Sequence, residues 1–186
     1  MKNTIFSLLF SAALLIGCSD SQVSPIESDS PSYSLIKLPK KSGMYVENIF
    51  SKTKEINGKH GGKITLDESY VAEDGHTVEI HAKLKVKRNS FRGRVNITLT
   101  IDDEFAAASF SPHMVFNNPT ELDLKFEGID LEQLNLFEGD YDFVFIADNG
   151  DTEIIQYKGL HVTESQGKIW VTKANLYHFS RYAFSR

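Results

Sequence analysis

From about residue 43 to the C-terminus, apolar and polar residues alternate in short runs, with turn-forming residues between them every 8–15 positions. A period of two sends successive side chains to opposite faces of an extended chain, so each run predicts a strand with one buried face. The longest is His76–Val86, where Val78, Ile80, Ala82, Leu84 and Val86 point one way and charged residues the other. Val95, Ile97, Leu99 and Ile101 repeat the pattern after Gly93, and Leu122, Leu124 and Phe126 form a further set. Shorter strands are predicted over 61–66, 141–147, 152–157, 168–171 and 179–184. Asp148-Asn149-Gly150-Asp151 between two of these predicts a hairpin with a type I′ turn. Helix is scarce: Tyr45–Ile56 reads as one short helix and Leu131–Phe137 as a turn or two. Eight to ten short strands with regular turns predict an all-β protein, an antiparallel two-sheet β-sandwich of immunoglobulin-like type.

The N-terminus follows another pattern. Lys2 is followed by an uncharged, largely apolar run from Thr4 to Ile16. That is the form of a secretory signal, too short for a stable membrane span. The run ends in Leu15-Ile16-Gly17-Cys18, which resembles the bacterial lipobox. The resemblance implies cleavage between Gly17 and Cys18, diacylglycerol on the Cys18 thiol and an amide-linked chain such as palmitate on its nitrogen. The cysteine count agrees, because Cys18 is the single cysteine and has no partner for an internal disulfide. More than two acyl chains would make the anchorage effectively permanent. By resemblance to enterobacterial sorting, Ser19 favours delivery to the outer rather than the inner membrane. The expected location is the bacterial cell envelope.

Cleavage would leave 169 residues, enough for one domain with a substantial core. The remaining charge, 19 basic residues against 25 acidic, is mildly negative and argues against a nucleic-acid partner. Residues 19–34 hold seven serines, two prolines and three acidic residues, a composition that buries too little surface to offset its ordering entropy. Residues 18–42 therefore read as a lipidated cysteine and flexible tether, and 43–186 as the sandwich. Leu35-Ile36-Lys37-Leu38-Pro39 reads as the end of that tether, docking on the domain or adding an edge strand.

Leu176-Tyr177-His178-Phe179-Ser180-Arg181-Tyr182 resembles the closing motif of the ZU-five domain, the β-sandwich of zona occludens proteins, netrin receptors and ankyrins. Gly61-Gly62 before a strand resembles its opening. Phe110-Ser111-Pro112-His113 through Pro119, ahead of Leu122-Asp123-Leu124, resembles its central stretch. The likeness covers residues 61–186. It implies a module for protein contacts, with a protein partner in the envelope and no catalysis on an external substrate. Some members of that family cleave themselves within His-Phe-Ser, and this carries over to the Phe179–Ser180 bond. Ser180 Oγ would attack the preceding carbonyl in an N-to-O acyl shift, with His178 as general base and acid. Alternation offers the competing account, with Phe179 as a core anchor and Ser180 as an ordinary strand hydroxyl.

Other chemistry is weakly marked. His60, His76, His81, His113, His161 and His178 form no compact ligand motif, so neither a metal nor another cofactor is expected. The Asp148–Asp151 turn lacks the spaced oxygens of a calcium loop. Asp102-Asp103-Glu104 reads as a solvated loop at a strand end. Tyr70, Tyr157 and Trp170 suit an aromatic platform for a solute or glycan, although large residues at strand spacing more often belong to a core. A solute- or glycan-binding lipoprotein is thus a third reading.

Overall fold

A computed structural model describes residues 33–43, 50–129, 131 and 141–186. The lipobox residues Gly17 and Cys18, and most of the 131–137 segment, lie outside these. The described residues form eleven strands: β1 (Ser51–Asn57), β2 (Gly62–Val71), β3 (Thr77–Val86), β4 (Arg94–Ile101), β5 (Ala107–Ser111), β6 (Val115–Glu127), β7 (Asp142–Ile146), β8 (Thr152–Ile154), β9 (Gly159–Thr163), β10 (Lys168–His178) and β11 (Arg181–Ser185). They make a six-stranded sheet, β1-β4-β5-β11-β7-β8, and a five-stranded sheet, β2-β3-β6-β10-β9. All the pairings between these strands are antiparallel. The fold is the two-sheet β-sandwich that the alternation predicts.

The core follows from the same alternation. Val78, Ile80, Ala82, Leu84 and Val86 of β3 are all buried, as are Leu122, Leu124 and Phe126 of β6. Ile97, Leu99 and Ile101 of β4 meet them from the other sheet, and Val95 is partly buried. Removing such side chains from water is the main favourable term in folding.

The expected helix over Tyr45–Ile56 is overturned where it is described. Ser51–Asn57 is an edge strand, paired residue for residue with β4 from Ser51↔Thr100 to Asn57↔Arg94. Its Lys and Glu residues favour helix locally, but the free edge of β4 supplies hydrogen-bond partners, and pairing outweighs a weak propensity. Its charges also suit an edge that should not recruit another chain.

Residues 34–42 cross one end of the sandwich. Ser34 and Arg186 exchange backbone hydrogen bonds, and Ile36 N–H donates to Phe184 O at 3.1 Å. Further on, Tyr70 Oη donates to Pro39 O at 2.8 Å, and Ser42 N–H to Val71 O at 2.9 Å. The segment runs from β11 of one sheet to the β2–β3 turn of the other, burying Ile36 and Leu38. Burial pushes the Tyr70 hydroxyl up to about 12, with Asp74 adding to the shift, so it remains a donor throughout the physiological range.

The β7–β8 hairpin forms with a different turn. Gly150 is at φ +88°, whereas Asn149 is not left-handed, so this is not type I′. Ala147 N–H donates to Asp151 O, enclosing a three-residue loop that ends on Gly150.

Candidate functional site

The His178–Ser180 motif lies where the chain changes sheets. β10 ends at His178 in the five-stranded sheet, and β11 begins at Arg181 in the six-stranded one. Phe179 is fully buried, with ring centroids 5.2 Å from Phe110 and 4.6 Å from Phe116. Tyr182 is also buried, and its hydroxyl donates to the His178 carbonyl at 2.6 Å. A buried tyrosine bonded to backbone four residues upstream is the arrangement of a tyrosine corner, which clamps the turn between sheets. Burial, with a lesser effect of Glu153, raises the pKa of that hydroxyl and keeps it a donor. Strict alternation would put His178, Ser180 and Tyr182 on one face, and it stops at the corner. Phe179 and Tyr182 both enter the core.

The two groups of the self-cleavage reading face different partners. Ser180 Oγ donates to Ile146 O at 3.4 Å, while His178 Nδ1 lies 3.4 Å from Tyr182 Oη. The motif's backbone is also held: Phe179 N–H donates to Met114 O at 2.8 Å, and Ser180 O accepts from Phe110 N–H at 3.0 Å. Phe179–Ser180 is not a cis peptide, and neither residue is left-handed. The nucleophile and base are both present, but the hydrogen bond that would activate Ser180 is not formed.

The other candidates are scattered. His76 contacts Asp74 in the β2–β3 turn, His81 bonds Asp67 at 2.8 Å, and the His113 ring lies tilted to that of His178 with centroids 6.3 Å apart. Among the described residues, no group of three or more His, Cys, Asp or Glu side chains is placed to hold a metal. Asp102 is structural, since Oδ1 accepts the Glu104 and Phe105 N–H groups and Oδ2 pairs with Arg181 at 2.8 Å. In the β7–β8 loop, Asn149 Nδ2 donates to Asp151 Oδ2 at 2.7 Å. Tyr70 belongs to the core, and Tyr157 packs partly buried against it.

The solvent face of the five-stranded sheet does gather functional side chains. Strand registers set Asp67, His81, Lys125, Trp170 and His161 in one row across all five strands. Trp170 points outward because Ile169 and Val171 point inward. It stacks on His161 with centroids 4.8 Å apart, and Lys168 Nζ lies 5.4 Å from its ring centre. Beside this row runs an open groove of about 820 Å³, lined in part by Thr65, Lys83, Asp123, Thr172 and Gly159. Gly159 makes the room: a Cβ there would sit 2.8 Å from His161 Nε2 and 3.3 Å from Thr172 Oγ1.

A β-bulge shapes the groove floor. Val171 pairs with Leu124 and Ala174 with Leu122, so Thr172 and Lys173 together oppose Asp123. Lys173 has φ +51°, a left-handed conformation unusual for a residue with a side chain. Asp123 holds it there, accepting Lys173 N–H at 2.9 Å on Oδ1 and Lys83 Nζ at 3.2 Å on Oδ2. Such strain collects where a local shape serves a function. Of these residues the sequence alone marks His81, His161 and Trp170, but not Asp123, Lys158, Gly159 or Lys173. One signal was present: Ile169, Val171, Ala174 and Leu176 step by two, three and two, and the three marks the bulge.

No family model matches the chain, and no curated protein or solved structure matches it significantly.

Proposed function

We propose that this chain is a lipoprotein of the bacterial envelope, acylated at Cys18, whose β-sandwich acts as a binding module rather than as a catalyst on an external substrate. The observation that carries the binding reading is the groove on the five-stranded sheet, with its aromatic wall and clamped bulge. Open pockets with a few convergent polar groups are the usual place for ligands. The lipobox resemblance supports the anchor and the envelope location, with outer-membrane delivery favoured by Ser19. The ZU-five resemblance suggests a protein partner. The groove, however, crosses β3, β6 and β10, whose backbones are already paired on both sides. A ligand lying on that face is read by side chains, and strand addition would need an edge strand, β2 or β9.

Two measurements test this. Cys18→Ser should move the protein from the membrane fraction to the soluble one, and continued sedimentation with membranes would place the anchor elsewhere. Trp170 is the single tryptophan, so its emission reports on the groove. Emission of the detergent-purified lipoprotein should shift when envelope extract is added. Gly159→Val, which crowds His161, should abolish the shift. An unchanged parent spectrum would remove the groove as the binding site.

A further inference from the structure

The groove carries a charge pattern that specifies its ligand further. Its lining holds four lysines, at 83, 125, 158 and 173, against two aspartates, at 67 and 123. That local positive excess sits on a chain whose formal net charge is −5. Lys83 is paired with Asp123, and Lys125 with Glu127. Lys158 and Lys173 differ, since among the described residues neither has a carboxylate within ion-pairing distance. They also lie close together in the ladder. Gly159 and Thr172 are the last partners of the β9–β10 register, and Lys158 and Lys173 are the next residue outward on each strand. Like charges facing each other across a ladder destabilise it unless an anion lies between them. The Asp123-clamped bulge holds one of these lysines in place at a conformational cost.

Next to this cationic pair stands the Trp170–His161 stack, a flat apolar wall. Further across the sheet, past Lys125 of β6 and His81 of β3, Asp67 and Thr65 of β2 present oxygens, and Asp67 is exposed. The anion site lies along β9 and β10 from the flat wall, whereas the hydroxyl-binding oxygens lie three strands from Trp170, roughly 14 Å at the usual strand spacing, so a ligand that reaches all of them is longer than one sugar unit. We infer that the groove binds an acidic saccharide, one bearing a carboxylate or phosphate group. The anionic group sits between Lys158 and Lys173, a sugar ring lies along Trp170 and His161, and the hydroxyls of further sugar units donate to Asp67 and Thr65. This rests on the reading of that face as the binding site.

The test is a Trp170 fluorescence titration of the full mature lipoprotein in detergent with four probes. These are oligogalacturonate, glucose 1-phosphate, methyl-esterified oligogalacturonate and polyglutamate. Saturable binding of either acidic saccharide, with the neutral ester and the polypeptide at least tenfold weaker, is the expected result, and the better saccharide identifies the anionic group. Lys158→Ala/Lys173→Ala should weaken binding by roughly tenfold, the effect of losing two partly exposed charge contacts. Lys52→Ala/Lys59→Ala removes equal charge from exposed sites outside the groove lining and should leave affinity unchanged. Equal binding of polyglutamate, or equal loss in both double variants, would overturn the saccharide inference and leave only charge attraction. A response to envelope extract that protease destroys, with none to either acidic saccharide, would overturn it while keeping the binding module. Silence toward extract and probes alike would remove both.

Discussion

The corner at His178–Tyr182 and the groove across the five-stranded sheet both collect polar and aromatic side chains, yet they use them in opposite ways. At the corner nearly every group is satisfied internally: Tyr182 by the His178 carbonyl, Ser180 by Ile146, and Phe179 by two neighbouring rings. In the groove, Lys158 and Lys173 point to solvent, and Gly159 leaves space where a side chain would fit. The more motif-like stretch is thus the better explained by architecture. Residues without a motif keep unused hydrogen-bonding capacity, and that capacity is what a ligand needs.

The contrast breaks most directly at its two aromatic residues. Phe179→Ala removes a fully buried ring from a close-packed cluster and should cost about 3–5 kcal/mol of unfolding free energy. Trp170→Ala removes a larger ring from a partly exposed wall and should cost far less, about 1 kcal/mol. Urea unfolding of the two variants measures both. Equal losses would mean that the groove wall is part of the core. Tyr182→Phe comes next. It leaves the partly buried His178 carbonyl without that donor and should cost about 1–2 kcal/mol. A loss near zero would show that the corner does not need its clamp.

How much of this was legible can be read from particular residues. The inward set of β3 follows from alternation alone, because a strand with one face in the core shows its period directly. Ser51–Asn57 reads locally as part of a helix because its pairing partner, β4, lies some forty residues away and leaves no local trace. The corner was hidden for a related reason. Alternation assigns faces within one sheet, whereas residues 178–182 pass from one sheet to the other. Trp170 was legible in orientation, since its neighbours Ile169 and Val171 are plainly apolar and inward. The row that joins it to His161, Lys125, His81 and Asp67 depends on four registers that a single sequence does not contain. Charge count at the groove is likewise a property of pairing, not of composition.

A smaller effect sharpens the groove side. Lys173 sits in a left-handed conformation that costs a residue with a Cβ about 1–2 kcal/mol. Glycine adopts it freely but loosens the unfolded chain by about 0.4–1 kcal/mol. Lys173→Gly should therefore stabilise the domain by up to about 1 kcal/mol while weakening an anionic ligand. Calorimetry read beside the Trp170 titration checks both halves. A variant that is less stable would mean that the bulge needs its side chain for folding, and that the strain is not kept for binding.

The smallest effect tests what His178 does. Burial holds its imidazole below the ordinary histidine value, His113 adds to this, and Glu153 opposes it. In isolation, a depressed histidine beside a serine suits a general base. Here the ring contacts Tyr182 and lies edge-on to Phe145 at 4.6 Å, so its titration should act on folding rather than on a bond. The sign follows from linkage. Below the unfolded value, near 6.5, the unfolded chain takes up this proton more readily than the folded one. The contribution is therefore complete above about pH 6.5 and is lost as pH falls through that value toward the folded pKa. His178→Gln should flatten this part of the stability profile between pH 7.5 and 5 while keeping the backbone carbonyl that Tyr182 needs. If parent and variant lose stability in parallel, the ring is solvated and takes no part in the corner. If instead intact-mass analysis shows the parent losing its last seven residues, and His178→Gln preserving them, the ring is a base after all and the corner is a reaction site.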